Sequence, residues 1–169
     1  MAEQRTAICI VADDREAAGG VLEELRRHPE IALEVRRLAR GDYWVEDNFI
    51  VERKTLRDFA ASVVDGRLFR QAAALAREGR RGVLMLEGRT ETAAGLGVSR
   101  EALQGALITI SVSHGLAVLR SRDAAESARR LFWLSPEVPS RPPRGAWAPG
   151  WRRSRAPARR GARGKSFRY

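Results

Sequence analysis

Residues 41–58 read Gly-Asp-Tyr-Trp-Val-Glu-Asp-Asn-Phe-Ile-Val-Glu-Arg-Lys-Thr-Leu-Arg-Asp, and this stretch contains the change of pattern that decides the fold. Residues 43–45 and 49–52 are rich in β-branched and aromatic types and are separated by polar turn residues, which predicts a β-hairpin. After Lys54 the apolar residues recur at helical spacing, so the second strand is predicted to lead directly into a helix. A hairpin joined to a helix is therefore the predicted centre of the fold.

Strand and helix patterns alternate on both sides of this unit. Short apolar runs predict strands at residues 7–12, 33–38, 83–86 and 116–119, and amphipathic periodicity predicts helices at about 15–28, after residue 54, after Gly66, around 103–110 and at 124–134. Elements that alternate in this way form a central sheet covered by helices. The sequence thus predicts an α/β fold with a mixed central β-sheet flanked by helices.

The 169-residue chain carries a formal net charge of +10, and almost all of that charge lies in one segment. Residues 1–134 hold 21 Lys and Arg against 20 Asp and Glu, a net of +1, whereas residues 135–169 hold 10 against one, a net of +9. The second segment is rich in Pro, Gly, Ala and Arg and cannot bury enough apolar surface to offset its ordering entropy. We expect a folded domain at 1–134, a disordered basic tail at 135–169 and a polyanionic partner, with nucleic acid favoured over an acidic membrane surface.

The single cysteine, Cys9, lies inside the first apolar run and is expected to be a small buried hydrophobe. One cysteine excludes an intrachain disulfide and a cysteine-based zinc cluster. The longest apolar stretch, residues 106–119, contains hydroxyl side chains and a histidine, which excludes a membrane span. A cytoplasmic protein that does not enter a membrane is expected.

Two carboxylates and one ammonium converge in the predicted hairpin. Glu52 and Lys54 project from one face of their strand, and the hairpin can bring Asp42 beside Glu52. Carboxylates of this kind hold a hard cation such as magnesium at roughly 2.0–2.1 Å, and a cation with a nearby ammonium is suited to phosphodiester hydrolysis. The same residues also fit a turn and a solvated strand edge, and Asp58 fits a capping box that begins the next helix.

A series of motifs in the same order resembles the nuclease domain of the XPF-type family, the flap and fork endonucleases of excision repair and their archaeal relatives. The motifs are Ala-Asp-Asp-Arg-Glu at 12–16, Gly-Asp at 41–42, Glu-Arg-Lys at 52–54 with Asp58, and Gly-Arg at 66–67 with Gln71. The resemblance covers residues 8–134, with Ala12 in place of the usual Val. It implies a restriction-endonuclease-like α/β fold and a divalent-metal-dependent DNA endonuclease that acts on branched, flapped or forked DNA in repair or recombination.

The resemblance also implies a role for each matching residue. Asp42 and Glu52 would hold Mg²⁺ or Mn²⁺ together with the Arg53 carbonyl, Lys54 would be the catalytic ammonium, Asp13 and Glu16 would line the metal site, Asp58 would support it, and Arg67 and Gln71 would face the DNA backbone. The Arg53 side chain, on the far face of its strand, would be structural or ion-paired. A homodimer or a protein partner is a further expectation.

Two questions stay open on the sequence alone. The tail arginines, among them Arg152, Arg153, Arg159 and Arg160, are expected to act as a non-specific phosphate clamp. The alternative to an enzyme is a DNA-binding module that keeps the nuclease fold without cleavage. Retention of Asp42, Glu52 and Lys54 favours the enzyme.

Overall fold

A computed structural model describes residues 7–89 and 97–136. The strands are β1 (Ile8–Asp13), β2 (Ile31–Arg36), β3 (Tyr43–Val45), β4 (Phe49–Thr55), β5 (Arg81–Glu87) and β6 (Ala117–Ser121). The α-helices are α1 (Val21–Arg26), α2 (Leu56–Val64), α3 (Arg67–Leu75), α4 (Arg100–Ile108) and α5 (Ala124–Leu134). A 3₁₀ helix spans Asp14–Ala18, and a π-helical turn at Thr109–Ser113 follows α4.

The strands form one mixed sheet in the order β2-β1-β3-β4-β5-β6. Only β3 among these six runs antiparallel to its neighbours, so the carboxyl ends of β1, β2, β4, β5 and β6 meet at one edge. Because β3 begins at that same edge, the residues just before Tyr43 lie beside the ends of β1 and β4. The topology thus gathers Asp13, Asp42 and the end of β4 at one place.

Each face of the sheet carries its own apolar core. On the first face, Ile10, Val51 and Met85 pack with residues of α1 and α5. On the second face, Ile50, Leu84 and Leu86 pack with residues of α2, α3 and the α4 region. Complete burial of a side chain of this size contributes about 1.5–3 kcal/mol. Since Ile50 and Val51 belong to opposite faces, alternation places Glu52 and Lys54 on the second face and Arg53 on the first.

The predicted helix at 15–28 is wrong as a single element. It is divided into the 3₁₀ helix and α1 by Gly19 and Gly20, and Gly20 has a left-handed backbone with φ of 74°. Non-glycine residues rarely adopt this conformation, so the helical periodicity on either side cannot continue through it.

The expectation that Cys9 is buried is also wrong. Cys9 is exposed because it projects from β1 on the side opposite Ile8 and Ile10, which belong to the first core. On the second face, α2 contacts β4 and β5 instead. The neighbouring strand β2, predicted to be half-buried, leaves Val35 40% exposed.

Among the described residues, no helix combines the length and the apolar character needed to cross a bilayer.

Candidate active site

The backbone around Asp42 is fixed by the two strands beside it. The Asp42 N–H donates to the Val51 carbonyl at 2.8 Å, and the Asp42 carbonyl accepts from the Asp13 N–H at 2.8 Å. Gly41 precedes it with φ of 67°, and a Cβ there would lie 2.7 Å from Cγ1 of Ile50. Only glycine combines this conformation with this close approach, so Gly41 is part of what positions Asp42.

The Asp42 side chain is bound to the next strand. Its Oδ2 accepts the Arg53 backbone N–H at 2.7 Å. The N–H and C=O of one residue point to the same edge of an extended strand. The Arg53 carbonyl therefore faces Asp42 as well, as the resemblance implies for a metal ligand.

Glu52, Lys54 and Gln71 line one small cavity on the second face of the sheet. Lys54 Nζ lies 3.5 Å from Glu52 Oε1, and the two side chains are only 11% and 19% exposed. The floor of the cavity is apolar and includes Leu84 and Leu68. The predicted acid, the predicted ammonium and the predicted DNA-facing amide are thus brought together by β4 and α3.

The carboxylates of this site lie in an environment that disfavours their charged forms. Burial and the neighbouring charge of Glu52 raise the pKa of Asp42 to about 7, against the opposing hydrogen bond from the Arg53 N–H. Burial also raises the pKa of Glu52, although Lys54 opposes that shift. Two half-buried carboxylates at this point create a local excess of negative charge that a cation would neutralise.

The donor set fits a hard divalent cation. Carboxylate and carbonyl oxygens are the ligands that Mg²⁺ and Mn²⁺ prefer, and Asp42, Glu52 and the Arg53 carbonyl supply them. Within residues 7–89 and 97–136, no three His, Cys, Asp or Glu side chains are arranged as one metal-binding group. The charge of Glu16 contributes to the raised pKa of both Asp42 and Glu52, so this carboxylate lies near the pair.

Asp13 is fully buried and its carboxylate is satisfied by protein donors. Oδ1 accepts from the Arg15 N–H at 2.9 Å and from Arg15 Nε at 2.6 Å, and Oδ2 accepts from Arg15 Nη2 at 3.0 Å and from the Leu38 N–H at 2.8 Å. The Arg15 side chain holds the pKa of Asp13 below its usual range. Asp13 thereby caps the 3₁₀ helix and fastens the chain after β2 next to the end of β1.

Behind the strand, the Arg53 guanidinium lies between two carboxylates on the first face. It donates to Glu87 Oε2 and Oε1 at 2.9 and 2.5 Å and to Glu16 Oε2 at 3.2 Å. Glu87 also accepts from Ser127 at 2.5 Å, and Glu16 accepts from the Tyr43 hydroxyl at 2.8 Å. We refer to Arg53, Glu16, Glu87, Ser127 and Tyr43 as the Arg53 network.

The ion-paired role expected for the Arg53 side chain is confirmed. Burial alone would lower the Arg53 pKa, but its hydrogen bonds and the charges of Glu87 and Glu16 raise the pKa above its usual range. Sequence reasoning missed Glu87 and Ser127. The available signal was a glutamate directly after the predicted buried strand 83–86.

The remaining predicted residues among those described lie on α2 and α3. Asp58 forms the capping box, since Thr55 Oγ1 accepts the Asp58 N–H at 3.1 Å and donates to Asp58 Oδ2 at 2.7 Å. Arg67 is exposed and pairs with Asp65 at 2.9 Å. Gln71, also exposed, follows one turn later on α3. Arg152, Arg153, Arg159 and Arg160 of the predicted clamp lie outside the described residues.

Neither aromatic residue after Asp42 offers a free stacking surface. Tyr43 is fully buried in the first core. Trp44 is partly buried, and the guanidinium carbons of Arg36 and Arg80 lie 4.9 and 4.2 Å from its ring centroid. This packing gives both aromatic residues a structural role rather than a role in base stacking.

Comparison with known proteins matches this arrangement to one family. The family model described as the ERCC4 domain matches residues 12–132. The 3'-flap repair endonuclease Xpf of Saccharolobus solfataricus is 34% identical over 124 residues, which is 73% of this chain and 53% of the relative. The structure-specific endonuclease subunit MUS81 of Danio rerio is 30% identical over 153 residues, covering 73% of this chain and 25% of the relative.

A solved structure agrees with the fold as well. XPF from Aeropyrum pernix in complex with DNA matches with a TM-score of 0.67 at 30% identity, covering 75% of this chain and 62% of that chain. The chain spans about half the length of the Saccharolobus relative. The predicted restriction-endonuclease-like fold and the XPF-type resemblance are confirmed, and the chain belongs to the ERCC4 domain family.

Proposed function

We propose that this protein is a divalent-metal-dependent DNA endonuclease that hydrolyses phosphodiester bonds in branched, flapped or forked DNA. The observation that carries the proposal is the convergence of Asp42, Glu52 and Lys54 at the carboxyl edge of the sheet, with the pKa of Asp42 raised to about 7 by burial and by Glu52. Perturbed carboxylates beside a lysine are typical of a catalytic site.

Asp42, Glu52 and the Arg53 carbonyl are the groups that would hold Mg²⁺ or Mn²⁺. When bound, the cation supplies Lewis-acid polarisation of the phosphodiester and neutralises charge on the phosphate. The Arg53 N–H fixes the Asp42 carboxylate at 2.7 Å, so one of its oxygens is already oriented before any ligand binds. Preorganised ligands reduce the cost of assembling such a site.

Lys54 is the group placed to act on the reacting phosphate. The Lys54 side chain is 11% exposed, and its ammonium lies 3.5 Å from Glu52 Oε1. A positive charge in so sheltered a position stabilises negative charge on the phosphate oxygens in the transition state more strongly than it would in water. Gln71, which lines the same cavity, can donate a hydrogen bond to the nucleic-acid backbone.

Three similar proteins support DNA, and branched DNA in particular, as the substrate. The Saccharolobus relative is named a 3'-flap repair endonuclease, and the zebrafish relative is named a structure-specific endonuclease subunit. The Aeropyrum structure that matches this fold contains DNA. A homodimer or a protein partner remains part of the proposal.

The test is cleavage of end-labelled duplex, single-stranded, flapped, forked and nicked DNA in Mg²⁺, in Mn²⁺ and in EDTA. Glu52→Gln should abolish metal-dependent cutting at nearly constant side-chain volume, while DNA binding in EDTA persists. The matched control is Glu23→Gln, which makes the same chemical change on the exposed face of α1 and should cut like the wild type.

The outcomes of this assay distinguish a metal-dependent endonuclease from a non-catalytic DNA-binding module. Cutting that is unaffected by Glu52→Gln would remove the metal-site assignment. Tight binding of every substrate without cutting would instead favour the non-catalytic DNA-binding module.

A further inference from the structure

Arg53 makes contacts on both sides of β4 at the candidate active site. Its backbone N–H donates to Asp42 Oδ2 at 2.7 Å, and its guanidinium, on the first face, donates to Glu87 and Glu16. The Arg53 side chain is only 11% exposed. A single residue therefore joins a carboxylate of the proposed metal site to the Arg53 network on the other face of the sheet.

The Arg53 backbone lies just beyond the end of the ladder between β3 and β4. That ladder ends at the pair of Tyr43 and Val51, and the Asp42 N–H adds one more hydrogen bond to the Val51 carbonyl. Two residues further along β4, the Arg53 N–H donates to the Asp42 side chain instead of a strand. Because the N–H and C=O of one residue point to the same edge of a strand, pairing with β3 does not hold the Arg53 backbone groups.

The Arg53 side chain, in contrast, is held by a bidentate ion pair and by close packing. Glu87 accepts Arg53 Nη2 on Oε1 at 2.5 Å and Arg53 Nε on Oε2 at 2.9 Å. Two parallel hydrogen bonds of this kind fix the orientation of the guanidinium plane as well as its position. Gly19 packs closely against the same group, since a Cβ there would lie 3.0 Å from Arg53 Nη1. The guanidinium thus has little freedom to turn.

Glu87 is itself fixed by contacts with several elements. It is the last residue of β5 and is in register with Thr55 of β4. Its Oε2 also accepts the Ser127 hydroxyl of α5 at 2.5 Å, and that hydroxyl lies 2.8 Å from the Ser121 hydroxyl of β6. Both serines are buried. The position of the Arg53 guanidinium is therefore set by β5, β6 and α5 together.

We propose that Glu87, held by Ser127, is a positioning residue for the candidate metal site. By fixing the Arg53 side chain, Glu87 fixes the Arg53 backbone, whose N–H orients Asp42 and whose carbonyl faces the same carboxylate. Glu87 acts through Arg53 and not by contact with the reacting groups. This role rests on the proposed function. Replacement of a residue that orients metal ligands typically lowers metal affinity or activity by about 10- to 100-fold.

The test is Mn²⁺ binding to the full chain without DNA, measured from the electron paramagnetic resonance signal of free Mn²⁺. Glu87→Gln keeps the size of the side chain but disrupts the bidentate pairing, so the Kd for Mn²⁺ should rise by about 10-fold or more. The metal concentration for half-maximal cutting of a flapped duplex should rise by the same factor, while binding of that duplex in EDTA should not change. Ser127→Ala, which removes one hydrogen bond from Glu87, should shift the Kd in the same direction by a smaller factor.

The matched control is Leu25→Ala, which separates positioning from a general loss of stability. It removes buried apolar contacts of α1 in the first core and destabilises the fold without removing a hydrogen bond of the Arg53 network. At a temperature at which circular dichroism shows each variant to be folded, Leu25→Ala should bind Mn²⁺ like the wild type.

Wild-type Mn²⁺ affinity in folded Glu87→Gln, or an equal loss of affinity in Leu25→Ala, would overturn the positioning role. If Glu87→Gln does not fold, Ser127→Ala decides, and wild-type affinity in that variant would overturn the role. Mn²⁺ binding and metal-dependent cutting by the wild type would leave the proposed function standing in each of these cases. A wild-type chain that neither binds Mn²⁺ nor cuts DNA would overturn both.

Discussion

Replacement of Glu87 by glutamine tests the Arg53 network directly. Glu87 accepts three hydrogen bonds, two from Arg53 at 2.9 and 2.5 Å and one from Ser127 at 2.5 Å. A glutamine of the same shape has one acceptor oxygen and one NH₂ group. In either orientation the NH₂ group meets at least one donor of Arg53, so a charge-assisted hydrogen bond is lost.

The expected loss of stability depends on the burial of the Arg53–Glu87 ion pair. The Arg53 and Glu87 side chains are 11% and 14% exposed. A hydrogen bond to a charged group contributes about 1.5–3 kcal/mol, and removal of one partner from a buried ion pair costs about 3–5 kcal/mol. Because Glu16 stays 3.2 Å from Arg53 and retains part of the pairing, we expect a loss of about 3 kcal/mol in the free energy of unfolding.

Urea unfolding, followed by circular dichroism, measures this loss. Domains of this size have unfolding free energies of about 5–15 kcal/mol, so a change of about 3 kcal/mol is well resolved. The control is Glu23→Gln, since Glu23 and its partner Arg26 are 63% and 52% exposed and such surface pairs contribute about 0–1 kcal/mol. If Glu87→Gln cost no more than Glu23→Gln, the Arg53 network would not be a stabilising feature of the fold.

Two further predictions concern Asp42 and the glycine before it. Asp42→Asn removes one of two half-buried carboxylates, so without metal the variant should be at least as stable as the wild type. The variant should also lose the rise in Tm that Mg²⁺ or Mn²⁺ gives the wild type. At a free metal concentration of ten times the Kd, the wild type gains about 1.4 kcal/mol in the free energy of unfolding. Thermal unfolding with and without metal measures the rise in Tm. An equal rise in the variant would show that Asp42 does not bind the metal. Gly41→Ala and Gly115→Ala impose nearly the same left-handed strain, with φ of 67° and 69°, but only at Gly41 would the new Cβ meet Ile50, at 2.7 Å. Gly41→Ala should therefore cost about 1–3 kcal/mol more than Gly115→Ala in urea unfolding, and equal costs would show that close packing does not constrain this turn.

Most helices and strands could be predicted from the sequence because they are determined by residues that are close together in the chain. The hairpin at 43–45 and 49–52, the helices after residues 54 and 66, and the last helix at 124–134 are confirmed, with β4 extended to Thr55. Alternation along β4 also placed Glu52 and Lys54 on one face and Arg53 on the other. These features depend on periodicity and turn chemistry over a few residues.

Two predictions, the single helix at 15–28 and the burial of Cys9, were wrong because features other than hydrophobic periodicity determined the structure there. The helix at 15–28 is divided because the left-handed backbone at Gly20 overrides the apolar spacing around it. Cys9 is exposed because α2 on the second face contacts β4 and β5 and not β1. An apolar run in the sequence does not reveal which part of a sheet is covered by helices.

Three features could be predicted from the amino-acid sequence alone: the α/β class, the convergence of Asp42, Glu52 and Lys54 in one hairpin, and the concentration of positive charge after residue 134. These depend on residue types at short separations. Only the tertiary structure showed that Glu16 and Glu87 enclose Arg53 and that Gln71 of α3 lines the same cavity as Glu52 and Lys54. The members of the Arg53 network are separated by 34 and 37 positions along the chain. Contacts at such separations are set by strand order and helix packing, which no local pattern encodes.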